Sequence, residues 1–337
     1  MLLAICLASV PALVLAVLLA LPLARPSPSL GAGASIDLTG LPRLSVFRAR
    51  DRGRLGYRAY PPAAAARGGH DRAAILIHGS SASSVTMNAL AKALAAAGVA
   101  VYVPDIRGHG QSGPRGDIAY IGQLEDDLED LCIAIELAAP GRQITLVGHS
   151  AGGGFVARVA GSRLGERFER FVLLAPYLGF TSPSTRAVAR WARAAVPRVV
   201  ALDILNDFGI TTWNGLPALA FAVAPGTEQI LTPVYSYRLM RNFSAHPNYR
   251  HDLRAATRPV DILVGSRDEL MNPGGYCDAV AGLGDRIHVQ VVDGVDHMGI
   301  VGESTVVYSL AANIAQAEPL QERLAHADHR RRSGQVS

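Results

Sequence analysis

The sequence predicts an α/β fold: a mostly parallel central sheet, helices on both faces, and a long insertion at one edge. Three observations predict it. Short runs of apolar and β-branched residues recur at 73–77, 144–147 and 171–174 without polar alternation, as strands buried on both faces do. Helix-compatible stretches at 85–97, 119–138 and 152–164 separate or follow them, and such alternation calls for parallel crossovers. With 49% hydrophobic and 18% charged residues in 337, the chain is too apolar to be disordered.

The elements follow in order. Leu44–Tyr60 alternates about a turn at Asp51-Arg52-Gly53 and reads as a β-hairpin. The strand Ala73–Ile77 ends in His78-Gly79-Ser80-Ser81, and the strand Val99–Val103 ends in Pro104-Asp105. Acids crowd the first turns of helix 119–138, where the helix dipole favours them; Asp126, Asp127, Glu129 and Asp130 read as a solvated face. Ile144–Val147 runs into Gly148-His149-Ser150-Ala151-Gly152, and Phe171–Leu174 is the next strand. Alternation then stops over residues 177–256, which read as a lid. It resumes with strand Val260–Val264, helix 273–282, strand Ile287–Val292 and a helix from Thr305 to Ala317. Right-handed crossovers bring the parallel strands' C-termini to one edge, where ligands bind. The organisation is therefore a leader (1–24), a linker (25–42), one domain (43–317) and a polar tail (318–337).

In the leader, 21 of 24 residues are apolar. Residues 2–23 are uncharged, lack a basic n-region, and are long enough to span a bilayer. They favour an uncleaved N-terminal membrane anchor; the positive-inside rule read literally puts the domain in the cytoplasm, but one α-amino group against Arg25, Arg43 and Arg48 leaves the side open. The alternative is a signal cleaved near Ala32-Gly33-Ala34, giving a secreted or periplasmic protein. The net charge of +4 comes with 31 arginines and one lysine, Lys92. No dense basic stripe with aromatics appears, so a nucleic-acid partner is not expected. Cys6, Cys132 and Cys277 suggest neither disulfides nor a zinc site. Nothing sets an oligomeric state.

Gly148-x-Ser150-x-Gly152 carries the chemistry. Alone the pattern is weak; between a strand and a Gly-rich helix start it marks a serine on a strained turn, with flanking glycines because a Cβ would clash. A serine hydroxyl needs a base and a group that orients the base. In this topology the order is serine, acid, histidine. His297 lies just past the last strand and Asp268 just past the one before, at the edge where the base and acid must be. Asp296 reads as a loop cap. The backbone N–H groups of Ser80 and Ala151 are the candidate oxyanion donors. His149 and His109 read as structural.

His78-Gly79-Ser80-Ser81, Asp105-Ile106-Arg107-Gly108-His109-Gly110-Gln111-Ser112, Gly148-His149-Ser150-Ala151-Gly152, and Asp268 with His297 together resemble the α/β-hydrolase superfamily. Within it the closest likeness is to serine hydrolases typified by monoacylglycerol lipases and lysophospholipases. The resemblance implies an α/β-hydrolase fold with an inserted lid, and a bracing role for Asp105 and Arg107. It implies hydrolysis of a lipid-like acyl ester without metal or organic cofactor. An aminopeptidase or amidase on the same scaffold is the alternative, with Asp203, Asp207 or Glu228 available to hold an amine; a catalytically inactive membrane-anchored binding protein is another. Arg186, Arg190 and Arg193 have helical spacing over 185–198, suggesting a basic amphipathic lid helix able to rest on anionic lipid, or an ordinary exposed arginine face. The apolar stretch Leu216–Val223 suits either an acyl pocket or lid core.

Overall fold

The apolar runs form the centre of an eight-stranded sheet, ordered across its width as residues 44–48, 54–60, 100–104, 72–77, 143–149, 170–174, 260–265 and 287–292. The computed structural model describes residues 13–27, 36–63, 71–186, 191–227 and 230–316. β1 (Leu44–Arg48) and β2 (Arg54–Tyr60) make the antiparallel hairpin, and β2 joins β4 (Ala100–Pro104) antiparallel. β3 (Arg72–Ile77), β5 (Gln143–His149), β6 (Arg170–Leu174), β10 (Val260–Gly265) and β11 (Ile287–Val292) run parallel with β4. Successive side chains of a strand point to opposite faces. Ile75 and Ile77 meet one layer, which includes α3 (Gln123–Ala138), α4 (Ala151–Ala160) and α8 (Gly275–Val280). Ala74 and Leu76 meet the other, built from α2 (Asn88–Ala96), α9 (Gly299–Gly302) and α10 (Ser304–Ala315). This double covering explains why the sequence runs show no alternation. Asp261 interrupts the pattern inside β10 and is offset by Arg170 at 2.5 Å.

Between β6 and β10 the chain builds β7 (Ala192–Ala194), α5 (Val196–Asp207), β8 (Pro217–Phe221), β9 (Val234–Ser236), α6 (Tyr237–Asn242) and α7 (Tyr249–Ala255). The three strands pair antiparallel as β7-β8-β9. The expected arginine helix over 185–198 is not present in the described part. Residues 192–194 pair with Leu219–Phe221 of β8, and the helix starts only at Val196, with Pro197 in its first turn, where proline fits. Arg186, exposed, donates to the carbonyls of Met271 and Asp268, and Arg190 lies outside the described residues. In the stretch Leu216–Val223, Ala218, Ala220 and Phe221 are buried core; Phe221 packs on Tyr235 with ring centroids 4.7 Å apart.

The expectation of a membrane-anchoring helix is overturned. Among the described residues no helix is long and apolar enough to cross a membrane. Of the described residues of the leader, 13–20 are helical (α1). Leu15 and Leu19 of α1 pack on Leu202, Leu205, Ala218 and Tyr237 of the insertion. Arg198 donates to the carbonyls of Leu19, at 2.8 Å, and Leu21, which the helix end would leave unpaired. The apolar residues that suggested a span thus serve, in part, an intramolecular contact. Residues 1–12, Ala32-Gly33-Ala34 and the tail lie outside the described residues.

Candidate active site

β5 delivers the candidate nucleophile. Ser150 stands between β5 and α4 at φ 55°, ψ −118°, a left-handed backbone that a serine adopts only at a cost. Its N–H donates to Leu174 O at 2.9 Å, and its carbonyl accepts from Gly154 N at 3.1 Å and Tyr177 N at 2.9 Å. The flanking glycines are required sterically. A Cβ on Gly148 would lie 2.3 Å from Gly152 O, and one on Gly152 2.3 Å from His78 O. The described non-glycine residues at positive φ are Arg52, Ser81, Ser150 and Ala175. The last three follow β3, β5 and β6, so strain gathers where the strands end.

β10 and β11 deliver the candidate acid and base. His297 Nδ1–H donates to Asp268 Oδ2 at 2.8 Å, and both residues are buried. This bond leaves Nε2 as the candidate base nitrogen. Asp268 Oδ1 accepts from Leu270 N at 2.9 Å and Met271 N at 2.7 Å. Burial pushes the Asp268 carboxyl up, but the hydrogen bond and charge of His297 and the two N–H donors outweigh it, and the net shift is below the ordinary carboxylate value. His149, beside Ser150, packs its ring 4.7 Å from that of His297 and donates from Nε2 to His297 O at 3.0 Å. Burial, helped by repulsion from His297, pulls His149 down to about 3, so it is a neutral packing group and not a base. Glu269, which sequence reasoning passed over, accepts from His297 N at 3.1 Å.

The loop after β3 carries the candidate oxyanion donors' partner residues. Gly79 lies against the elbow: a Cβ there would be 3.2 Å from His149 Nδ1 and 3.3 Å from Ser150 Cβ. Among the described residues neither Ser80 N–H nor Ala151 N–H has a protein acceptor, and Ala151 opens α4, where free N–H groups are expected. His78 donates from Nδ1 to Gly79 O at 2.9 Å and accepts at Nε2 from Ile106 N at 3.1 Å. Asp105 accepts from Ser84 N at 2.8 Å and Gln111 N at 2.9 Å. Arg107 donates twice to Asp127, at 2.7 and 2.6 Å, and also to Asp51 at 3.2 Å. Asp127 is thus buried and paired, not part of a solvated face, whereas Asp126, Glu129 and Asp130 hold Arg50 at the surface. Trp191 and Tyr235 reach this loop from the insertion: Trp191 Nε1 donates to Ser80 Oγ at 3.2 Å, and the Tyr235 hydroxyl accepts from Ser81 N. Among the described residues no three His, Cys, Asp or Glu side chains gather in a metal-holding group.

A family model described as serine aminopeptidase, S33 (Hydrolase_4), matches residues 68–304. A monoacylglycerol lipase of Mycolicibacterium smegmatis is 26% identical over 232 residues, 66% of this chain and 80% of that protein. The non-heme chloroperoxidase CPO-A1 of Kitasatospora aureofaciens is 37% identical over 106 residues, 32% of this chain and 37% of that one. The crystal structure of a soluble variant of monoglyceride lipase from Saccharomyces cerevisiae superposes with a TM-score of 0.61 at 16% identity, covering 87% of this chain and 97% of that one; at this identity the likeness is one of fold.

Proposed function

Since the chain belongs to the serine aminopeptidase S33 (Hydrolase_4) family of α/β-hydrolases and is a serine ester hydrolase, we propose that it cleaves lipid-like acyl esters, of monoacylglycerol or lysophospholipid type, through Ser150, His297 and Asp268. The 2.8 Å bond from His297 Nδ1 to Asp268 Oδ2 at the strand edge carrying the strained Ser150 is the observation that carries this reading. Ser150 Oγ attacks the acyl carbon and passes its proton to His297 Nε2. Asp268 holds the productive tautomer and stabilises the imidazolium. The N–H groups of Ser80 and Ala151 receive the oxyanion. The tetrahedral intermediate expels the alcohol with the proton from His297. Water, deprotonated by His297, then attacks the acyl-enzyme, and the acid leaves as Ser150 regains its proton.

Residues 43–317 form the hydrolase domain in this reading, with 177–256 as its lid. The lipid-like substrate class draws support from the monoacylglycerol lipase likeness, which extends over 80% of that relative. The family's name favours an aminopeptidase instead, but its candidate amine-binding groups give little support. Asp203 is taken by Tyr237 Oη at 2.6 Å and Arg241 at 3.2 Å, Asp207 is exposed, and Glu228 lies outside the described residues. The test pairs a fluorophosphonate probe with a substrate panel. Wild type labels and Ser150→Ala does not, and turnover of acyl esters falls by about 10⁴-fold or more in the variant. Equal labelling of the two proteins overturns the nucleophile; activity confined to aminoacyl arylamides overturns the ester.

A further inference from the structure

We propose that Tyr235 and His109 are positioning residues that fix the oxyanion donor at Ser80, so that seating of the lid sets the rate of acyl transfer. This rests on the reading of Ser80 and Ala151 as the oxyanion hole. Two planar peptide units flank Ser80. The first carries Gly79 C=O and Ser80 N–H on opposite sides, and its C=O is held by His78 Nδ1–H at 2.9 Å. The second carries Ser81 N–H, which donates to the Tyr235 hydroxyl. Ser81 sits at φ +66°, a conformation that persists only where its surroundings impose it.

The proton direction through this network is determined. His109 Nδ1 faces the Ile106 carbonyl at 3.1 Å and so donates, leaving Nε2 to accept from the Tyr235 hydroxyl. Tyr235 can then accept from Ser81 N–H. Ile106 N–H donates to His78 Nε2 at 3.1 Å, which closes the circuit back to Gly79. His78, His109 and Tyr235 are almost wholly buried. Burial lowers both imidazoles below their ordinary value, so each is neutral and offers the one donor and one acceptor that the circuit needs. A buried donor facing a donor would leave both groups unsatisfied, so no other proton arrangement fits the circuit.

Tyr235 belongs to β9 of the lid, and its neighbourhood reinforces the tie. Thr232 N–H donates to Ser81 O at 2.6 Å, and Ser81 Oγ donates to Thr232 O at 2.8 Å. The same loop receives Trp191 at Ser80 Oγ. The lid therefore holds both the donor residue and the residue after it.

Tyr235→Phe keeps the ring, which packs edge-on to His109 at 5.1 Å, and removes the hydroxyl. Its kcat on a soluble p-nitrophenyl ester is expected to fall about 10–100-fold, with KM within about threefold, since complete loss of one oxyanion donor costs about 10²–10³ in kcat. Affinity for a trifluoromethyl ketone, which forms an oxyanion, falls by the same factor as kcat/KM. Affinity for an ether analogue without a carbonyl stays put. His109→Gln, whose amide oxygen can still accept from Tyr235, keeps more activity than His109→Leu. Wild-type kcat in Tyr235→Phe, or equal loss of ketone and ether affinity, overturns the proposal. Undiminished turnover by Ser150→Ala instead removes the underlying hydrolase reading, so the two failures are distinguishable.

Discussion

β5 and β8 are both short strands in the middle of a sheet, yet they are held in different ways. β5 lies between parallel neighbours and beneath helices on both faces, and ends in the strained Ser150. β8 lies between two strands of three residues each, in a sheet that meets the hydrolase body through Phe221 and Tyr235 in the main apolar core and through hydrogen bonds between Trp191, Thr232 and Tyr235 and one loop. The central sheet is ordered by contiguous apolar burial, which is tightly packed and intolerant of added volume. The insertion adds to its apolar packing a few directional polar ties to the loop after β3, which set position more than fold. Damage to the first should therefore appear as lost stability, and damage to the second as altered rate.

Glycines sharpen this contrast most. A Cβ on Gly152 would meet backbone oxygens of His78 at 2.3 Å and Ile77 at 2.7 Å, and only displacement of β3 relieves that. Gly152→Ala should lose about 3 kcal/mol or more, read as a large drop in Tm or no folded protein. In the lid, a Cβ on Gly215 would meet only the Arg238 side chain, at 3.5 Å. Gly215→Ala should stay within about 0.5 kcal/mol of wild type. Similar losses at both positions would break the comparison.

Ion pairs should follow with smaller effects. Arg107 and Asp127 have side chains only 9% and 10% exposed, so Asp127→Ala leaves a buried guanidinium short of its main partner. It should cost about 3 kcal/mol by denaturant titration. The lid pair Arg241–Asp203 is about a third exposed on each side; Arg241→Gln should cost less than about 1 kcal/mol.

These positions also mark how far the sequence could be read. Ser150, Asp268 and His297 could be nominated from the sequence because the chemistry needs them in one order at strand ends, and the strands are recognisable from composition. The helices and strands of the sheet were placed to within a few residues for the same reason. Asp127 was misread because an acid near a helix start looks alike whether water or an arginine faces it. A signal was present: Asp127 falls inside the buried stripe of Leu124, Leu128, Leu131 and Ile135. Tyr235 and Trp191 left no signal, and the helical spacing of Arg186 pointed to a lipid-facing helix instead of the acid loop. All three reach the site from an insertion, across sequence separations of 154, 111 and 82 residues. The leader suggested a membrane span because an apolar run reads the same whether lipid or the chain's own insertion receives its side chains, as the insertion receives Leu15 and Leu19.

Acid should strain the sheet edge through its buried imidazoles. Burial lowers His78, His109 and His149, the last from 6.5 to about 3. A histidine with a depressed folded pKa leaves the unfolded state binding more protons below 6.5, so its contribution is complete above that pH and is lost as pH falls toward the folded value. Tm should decline steeply from about pH 6.5 downward. His149→Asn should shed up to one proton from that slope, although its Tm at pH 7.5 will itself be lower. An unchanged slope in His149→Asn would mean that His149 is already charged in the folded protein.

The smallest effect is expected where the lid touches the acid loop. Arg186 donates to the carbonyls of Met271 at 2.7 Å and Asp268 at 3.0 Å, beside the isolated bridge between Thr185 and Met271. The Asp268 carboxylate does not depend on it, being held by Leu270 N, Met271 N and His297. Arg186→Gln therefore removes a brace from the loop's backbone while leaving the acid's own partners in place. It should lower kcat by about three- to tenfold, corresponding to one or two modest hydrogen bonds, with Tm nearly unchanged. Loss approaching the roughly 10⁴-fold expected of Asp268→Asn would mean that the lid's first strap holds the acid as firmly as the sheet holds the serine, and the division between stability in the sheet and rate in the lid would have to be redrawn.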